Sequence, residues 1–152
     1  MPKELAGPLH QRGGAPWVRS SATIYVGGGL ERPHVKIFHV PDCLFCGIAA
    51  GDIPATVVSS SARTVAFRDI DPQAPVHVLV ITREHHANLA ELAAAGDGLL
   101  AEVIEQAQEV AAREGVAEGH RVVFNTGPDG GQTVGHVHAH VLGGRPMHWP
   151  PG

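Results

Sequence analysis

Between Gly131 and Gly144 the chain reads GQTVGHVHAHVLGG, with His136, His138 and His140 alternating with Val137, Ala139 and Val141. Successive side chains on a strand point to opposite faces, so this run predicts a strand with three imidazoles on one face and apolar groups on the other. Small and β-branched neighbours favour the extended backbone, and Gly143-Gly144 closes it, holding the rings on rigid backbone rather than on a loose tail. On the residues alone two readings stand: a functional site, or a histidine-rich strand that faces solvent or binds metal fortuitously.

The rest of the chain sets bounds. Its 152 residues, 43% of them hydrophobic, suit one globular domain with an adequate core. The net charge of −4 is unevenly spread: residues 1–41 hold five Lys/Arg against two Asp/Glu, and residues 42–152 hold six against thirteen. An acidic body, in a chain with only two lysines in total, argues against nucleic acid as partner, since that surface needs a basic stripe. No apolar run is long enough to span a membrane and the N-terminus lacks a signal-peptide core, so a cytoplasmic protein is expected. Cys43 and Cys46 form C-L-F-C, too few cysteines for a disulfide scaffold and spaced for metal or redox work.

Residues 1–38 carry six Gly and four Pro without sustained periodicity, which predicts a disordered N-terminal extension, or a start site set too far upstream, ahead of a domain over 39–152. CLFCGIAAGDIP predicts a short helix stopped by Gly51 and Pro54, then TVVSS and TVAFRDI a hairpin. APVHVLVITRE gives a third strand with His77, Leu79 and Ile81 on one face, and HANLAELAAAG a short helix. Asp97 can cap a longer helix, in which Leu99, Leu100, Val103, Ile104, Ala107, Val110 and Ala111 form the apolar stripe until Gly115. HRVVFNTG is a fourth strand and the histidine run a fifth. The expectation is an α+β domain: an antiparallel five-stranded sheet with a long and a short helix packed on it.

Three imidazoles on one strand can hold a metal or offer a nucleophile near neutral pH, since histidine titrates at roughly 6.5. NTGPDGGQT places Asn125, Gly130, Gly131, Gln132 and Thr133 just before them. Such a loop can turn backbone N–H groups toward a phosphate, or simply connect two strands. Nucleophile and phosphate cradle together point to nucleotidyl transfer.

HVHAHVL fits His-φ-His-φ-His-φ-φ, with φ apolar, and the chain resembles the histidine triad (HIT) superfamily over roughly residues 42–152. RDIDPQAPVHVLVI, FNTGPDGGQTVGHVHAHVLGGR and the ending MHWPPG resemble its nucleotide-binding, phosphoramidase-type (Hint) branch. The resemblance implies a HIT-like fold and a homodimeric hydrolase cleaving purine nucleoside phosphoramidates to the monophosphate. Enzymes of the same fold acting on dinucleoside polyphosphates, and nucleotide- or metal-binding interaction proteins, are the alternatives.

By the same resemblance His138 attacks the α-phosphate to form a nucleotidyl-histidine, His140 contacts phosphate oxygens, His77 orients the site, and Thr133 assists the departing amine where serine is usual. Asp69 is carried to the ribose hydroxyls, and Phe45, Ile48, Ile53, Phe67 and Ile70 to the walls around the base. Gly135 departs from the pattern, since related proteins often carry an aromatic residue immediately before the first histidine; the departure bears on leaving-group specificity. The C-x-x-C alone fits a redox pair or two buried thiols equally well. Zinc-containing histidine triad proteins resemble this layout, which implies one structural zinc on Cys43, Cys46, His85 and His136, with His86 the rival to His85. His10, His34, His39, His120 and His148 read as surface or tail residues.

Overall fold

The computed structural model describes residues 42–151, so the expectation for residues 1–38 lies outside the described residues. Helix α1 (Leu44–Ala50) is followed by β1 (Val57–Ser60), β2 (Thr64–Arg68), β3 (Val76–Thr82), α2 (Leu89–Ala95), α3 (Leu99–Arg113), β4 (His120–Phe124) and β5 (His138–Gly143). The strands form one antiparallel sheet in the order β1-β2-β3-β5-β4. The last strand thus inserts between β3 and β4.

The local causes are readable. The Cys43 Sγ accepts from the Cys46 N–H at the start of α1, and Gly51, at φ 87°, ends it in the left-handed conformation that glycine adopts without strain. Asn88 caps α2 through its side-chain oxygen, which accepts from the Glu91 N–H. At α3 the cap differs from expectation. Gly98 holds that position, and the Asp97 carboxylate accepts from the Leu99 N–H while pairing with Arg63. Ile104 also leaves the expected apolar stripe and is exposed, whereas Gln106 is buried and donates to Ser59.

Two cores flank the sheet. Val78, Val80, Ala139 and Val141 pack against Leu92 of α2 and Leu99, Val103, Ala107, Val110 and Ala111 of α3. On the other face Val65, Phe67, Leu79 and Ile81 meet Phe45 and Ala49 of α1. The expected alternation therefore holds, with Val137, Ala139 and Val141 in the first core. The register pairs Ile81 with His138 and Leu79 with His140, so the β5 histidines lie on the α1 face and His77 is the diagonal neighbour of His140. His136 departs from the predicted strand. It sits in a bend before β5, where its N–H bonds the Val134 carbonyl and the Val137 N–H bonds the His86 carbonyl, so the ladder with β3 begins only at His138.

Candidate active site and metal centre

A cavity of about 350 Å³ opens between α1 and the sheet. Phe45, Ile48, Ile53, Phe67 and Leu79 give it apolar walls, and Asp69, Thr133, His138 and His140 are its polar residues. Ile70 also lines it but is fully exposed, at the rim rather than in a wall. Phe45 meets the His138 ring edge-on at 5.2 Å between centroids, and the His138 and His140 rings lie 4.9 Å apart.

The hydrogen bonds fix which ring nitrogens carry protons. The His138 Nδ1 lies 2.7 Å from the His136 carbonyl, an acceptor only, so Nδ1 is the protonated nitrogen and Nε2 keeps its lone pair. The Gln73 N–H donates to the His77 Nδ1 at 3.1 Å, which puts the His77 proton on Nε2. That Nε2–H donates to the His140 Nδ1 at 2.9 Å and lies 3.4 Å from the Asp69 carboxylate. The His140 proton is then on Nε2, which is buried without a hydrogen-bond partner. The cavity therefore holds a free imidazole lone pair and an unpartnered donor in adjacent rings. Asp69, His77 and His140 also cluster closely enough to suggest a metal, but a His77 ring that accepts at Nδ1 has its proton at Nε2, where a metal would need the lone pair.

Burial keeps His77 and His140 neutral. It pushes His140 down from 6.5 to about 4, helped by His138 and His77, and it lowers His77 against the opposing pull of Asp69.

Beside the cavity, Cys43, Cys46, His85 and His136 bring one donor atom each within 4.8 Å of one another. The Sγ–Nδ1 separations are 3.5 Å for Cys43–His136, 3.4 Å for Cys46–His85 and 3.6 Å for Cys46–His136. A tetrahedral ion with Zn–S of about 2.3 Å and Zn–N of about 2.0–2.1 Å requires sulfur–nitrogen edges of about 3.5 Å, so the donor set fits. The Thr82 carbonyl accepts from the His136 Nε2 at 2.9 Å, leaving the Nδ1 lone pair toward the sulfurs, and burial holds this ring neutral with its pKa at about 4. His85, not His86, joins the group; His86 Nε2 is buried without a partner and its carbonyl holds the Val137 N–H.

A model of the HIT domain family matches residues 50–147. The chain belongs to the HIT family. It is 44% identical to the Adenylylsulfatase HINT1 of Arabidopsis thaliana, over 72% of this chain and 76% of the relative. It is likewise 44% identical to the 14 kDa zinc-binding protein of Zea mays, over 72% and 87% of the two chains. Among solved structures, a HIT family hydrolase from Legionella pneumophila Philadelphia 1 is 50% identical, with a TM-score of 0.70 over 73% of this chain and all of that one.

The backbone of the glycine-rich loop is partly bonded within the loop. The Gly131 and Gln132 N–H groups are bound inside the loop, to the Pro128 and Gly127 carbonyls. The Gln132 amide donates to the carbonyls of Ala87 and Val134 and accepts from the Gly127 N–H. Asn125 lies beside Gly131, and of the loop residues named above only Thr133 reaches the cavity. Sequence reasoning missed Gln73 and Thr82, which act through backbone groups that leave no side-chain signature. It also missed Leu79 as a wall, although its strand spacing from His77 carried that signal.

Proposed function

We propose that this chain is a hydrolase of purine nucleoside phosphoramidates that works through a nucleotidyl-His138 intermediate. The carrying observation is the tautomer relay, which sets a free His138 Nε2 lone pair beside the buried, unpartnered His140 Nε2–H. The His138 Nε2 attacks phosphorus, the P–N bond to the amine breaks, and the amine takes a proton with the Thr133 hydroxyl as its nearby donor. The His140 Nε2–H donates to a phosphate oxygen as charge develops. Water then attacks phosphorus, its released proton restores the Thr133 hydroxyl, and the bond to Nε2 breaks, giving the monophosphate and neutral His138. Asp69 accepts from the ribose hydroxyls, and Phe45, Ile48, Ile53 and Phe67 hold the base, with Ile70 closing over it. Asn125, Gly131 and Gln132 shape the loop that presents Thr133.

One zinc per chain on Cys43, Cys46, His85 and His136 completes the reading; when bound it supplies a structural crosslink. The zinc-binding relative and the donor spacing support it. No helix of the described residues is long and apolar enough to cross a membrane, and thiolate ligands suit the reducing cytoplasm.

Among the described residues neither this cavity nor its neighbour beyond Thr133 is lined by Arg or Lys, which disfavours a long polyphosphate leaving group. Steady-state turnover of adenosine phosphoramidate, a dinucleoside polyphosphate, adenylyl sulfate and a glycosylated nucleotide tests the reading. The phosphoramidate should give the highest kcat/KM. A preference for the polyphosphate, or no turnover of any, contradicts it.

A further inference from the structure

Cys43 and Cys46 are the only cysteines of the chain, and they take no part in the transfer chemistry. Cys43 caps α1 and Cys46 is its third residue; the Cys46 N–H donates to the Cys43 Sγ at 3.4 Å, which holds that sulfur over the first turn. The two Sγ atoms lie within 4.8 Å of each other, so side-chain rotation and a shift of that turn bring them to the roughly 2.05 Å of a disulfide. Their exposure differs. Cys43 is half-buried and borders an open hollow of about 430 Å³, whereas Cys46 is 2% exposed. A small oxidant in solvent therefore meets the Cys43 sulfur first.

The two residues between the pair are Leu44 and Phe45, and the Phe45 ring is the cavity wall that meets His138 edge-on at 5.2 Å. A disulfide would close a small ring of backbone around the residue that packs on His138. The His136 carbonyl, which receives the His138 Nδ1–H, belongs to a third member of the same donor set. Chemistry at the sulfurs is thus coupled to the nucleotide cavity from two sides.

We propose that Cys43 and Cys46 form an oxidation site for small peroxides, whose disulfide withdraws both sulfurs from the metal centre and displaces Phe45 from the nucleotide cavity. This rests on the zinc assignment above. The Cys43 thiolate attacks a peroxide oxygen, the O–O bond breaks, and the departing hydroxide takes a proton and leaves as water, with Cys43 now a sulfenic acid. The Cys46 thiolate attacks the Cys43 sulfur, the S–S bond forms, the S–O bond breaks, and a second proton gives a second water. The two sulfurs supply the two electrons that reduce the peroxide. His85 and His136 are then two of the four donors that a structural zinc requires, too few to hold it.

The test exposes full-length protein, purified with its zinc, to hydrogen peroxide under anaerobic conditions. Zinc release to a chromogenic chelator should track the loss of both thiols and the appearance of a Cys43–Cys46 disulfide in peptide maps, and the Kd for adenosine monophosphate should rise roughly fivefold or more. A dithiol reductant with added zinc should reverse all of these. Cys46→Ser removes the resolving sulfur, so a cyclic diketone should capture a sulfenic acid on Cys43 in that variant. Zinc retained with both thiols intact, oxidation of Cys43 without the disulfide, a disulfide between two chains, unchanged nucleotide affinity after zinc release, or no capture in folded Cys46→Ser overturns the proposal alone. Protein that holds no zinc as purified overturns the zinc assignment and this proposal with it.

Discussion

At the scale of single residues, the site is a matter of where protons sit. His77 and His140 are neutral in the fold because burial outweighs the carboxylate of Asp69, whereas in the unfolded chain each titrates near 6.5. Below that value the unfolded chain binds protons that the native rings refuse. Stability is therefore fully present above about pH 6.5 and is lost as pH falls toward about 4, the value to which burial lowers His140. Thermal unfolding of the metal-loaded wild type and His140→Asn between these limits measures it. The variant should lose less stability on acidification, and equal slopes would show that the His140 ring is not the group responsible. The pattern His-φ-His-φ-His made the side-chain members of this site readable, since a period of two fixes one face. The proton on His138 Nδ1 was not readable, because it depends on the carbonyl of His136 in a bend that the alternation did not announce.

At the scale of elements, the four cysteine and histidine side chains connect α1, the segment after β3 and the bend before β5. Those parts are otherwise short: α1 is one seven-residue helix resting on β3 through Phe45 and Ala49. Losing the crosslink should loosen α1 from the sheet. Cys43→Ala is expected to leave the purified protein without its zinc and to cost about 2 kcal/mol or more, a fall in Tm of roughly 4–8 °C. Elemental analysis and calorimetry check it, and full metal occupancy in the variant would contradict the ligand assignment. The elements themselves were largely legible. Strand β3 carries a strong β-branched run, β5 the alternating histidine pattern, and Gly51 and Gly115 mark helix ends with positive φ. The α3 start was legible in part: the Asp97 carboxylate does accept from the Leu99 N–H, but Gly98 takes the cap position, and the pairing of Asp97 with Arg63 across the fold is invisible to local spacing. The inner bonding of the glycine loop is long-range in the same way: the Gln132 side chain reaches from the loop to the Ala87 carbonyl.

At the scale of the whole molecule, β4 lies at an edge of the sheet, and its five residues His120–Phe124 are all half-buried. An edge strand with open backbone groups favours pairing with a second copy, and the family resemblance points the same way. We expect a mass in solution of twice the 15.9 kDa chain, and sedimentation showing the single chain alone would refute the dimer. We expect the molecule to store one nucleotidyl group on one ring during turnover. Intact-protein mass spectrometry after millisecond acid-minimised quenching, followed by peptide mapping, reads that directly. The account predicts a transient adduct of one nucleotidyl group per chain on the peptide containing His138, absent from His138→Ala. Normal turnover by His138→Ala, or an adduct mapped to a peptide that lacks His138, would contradict it.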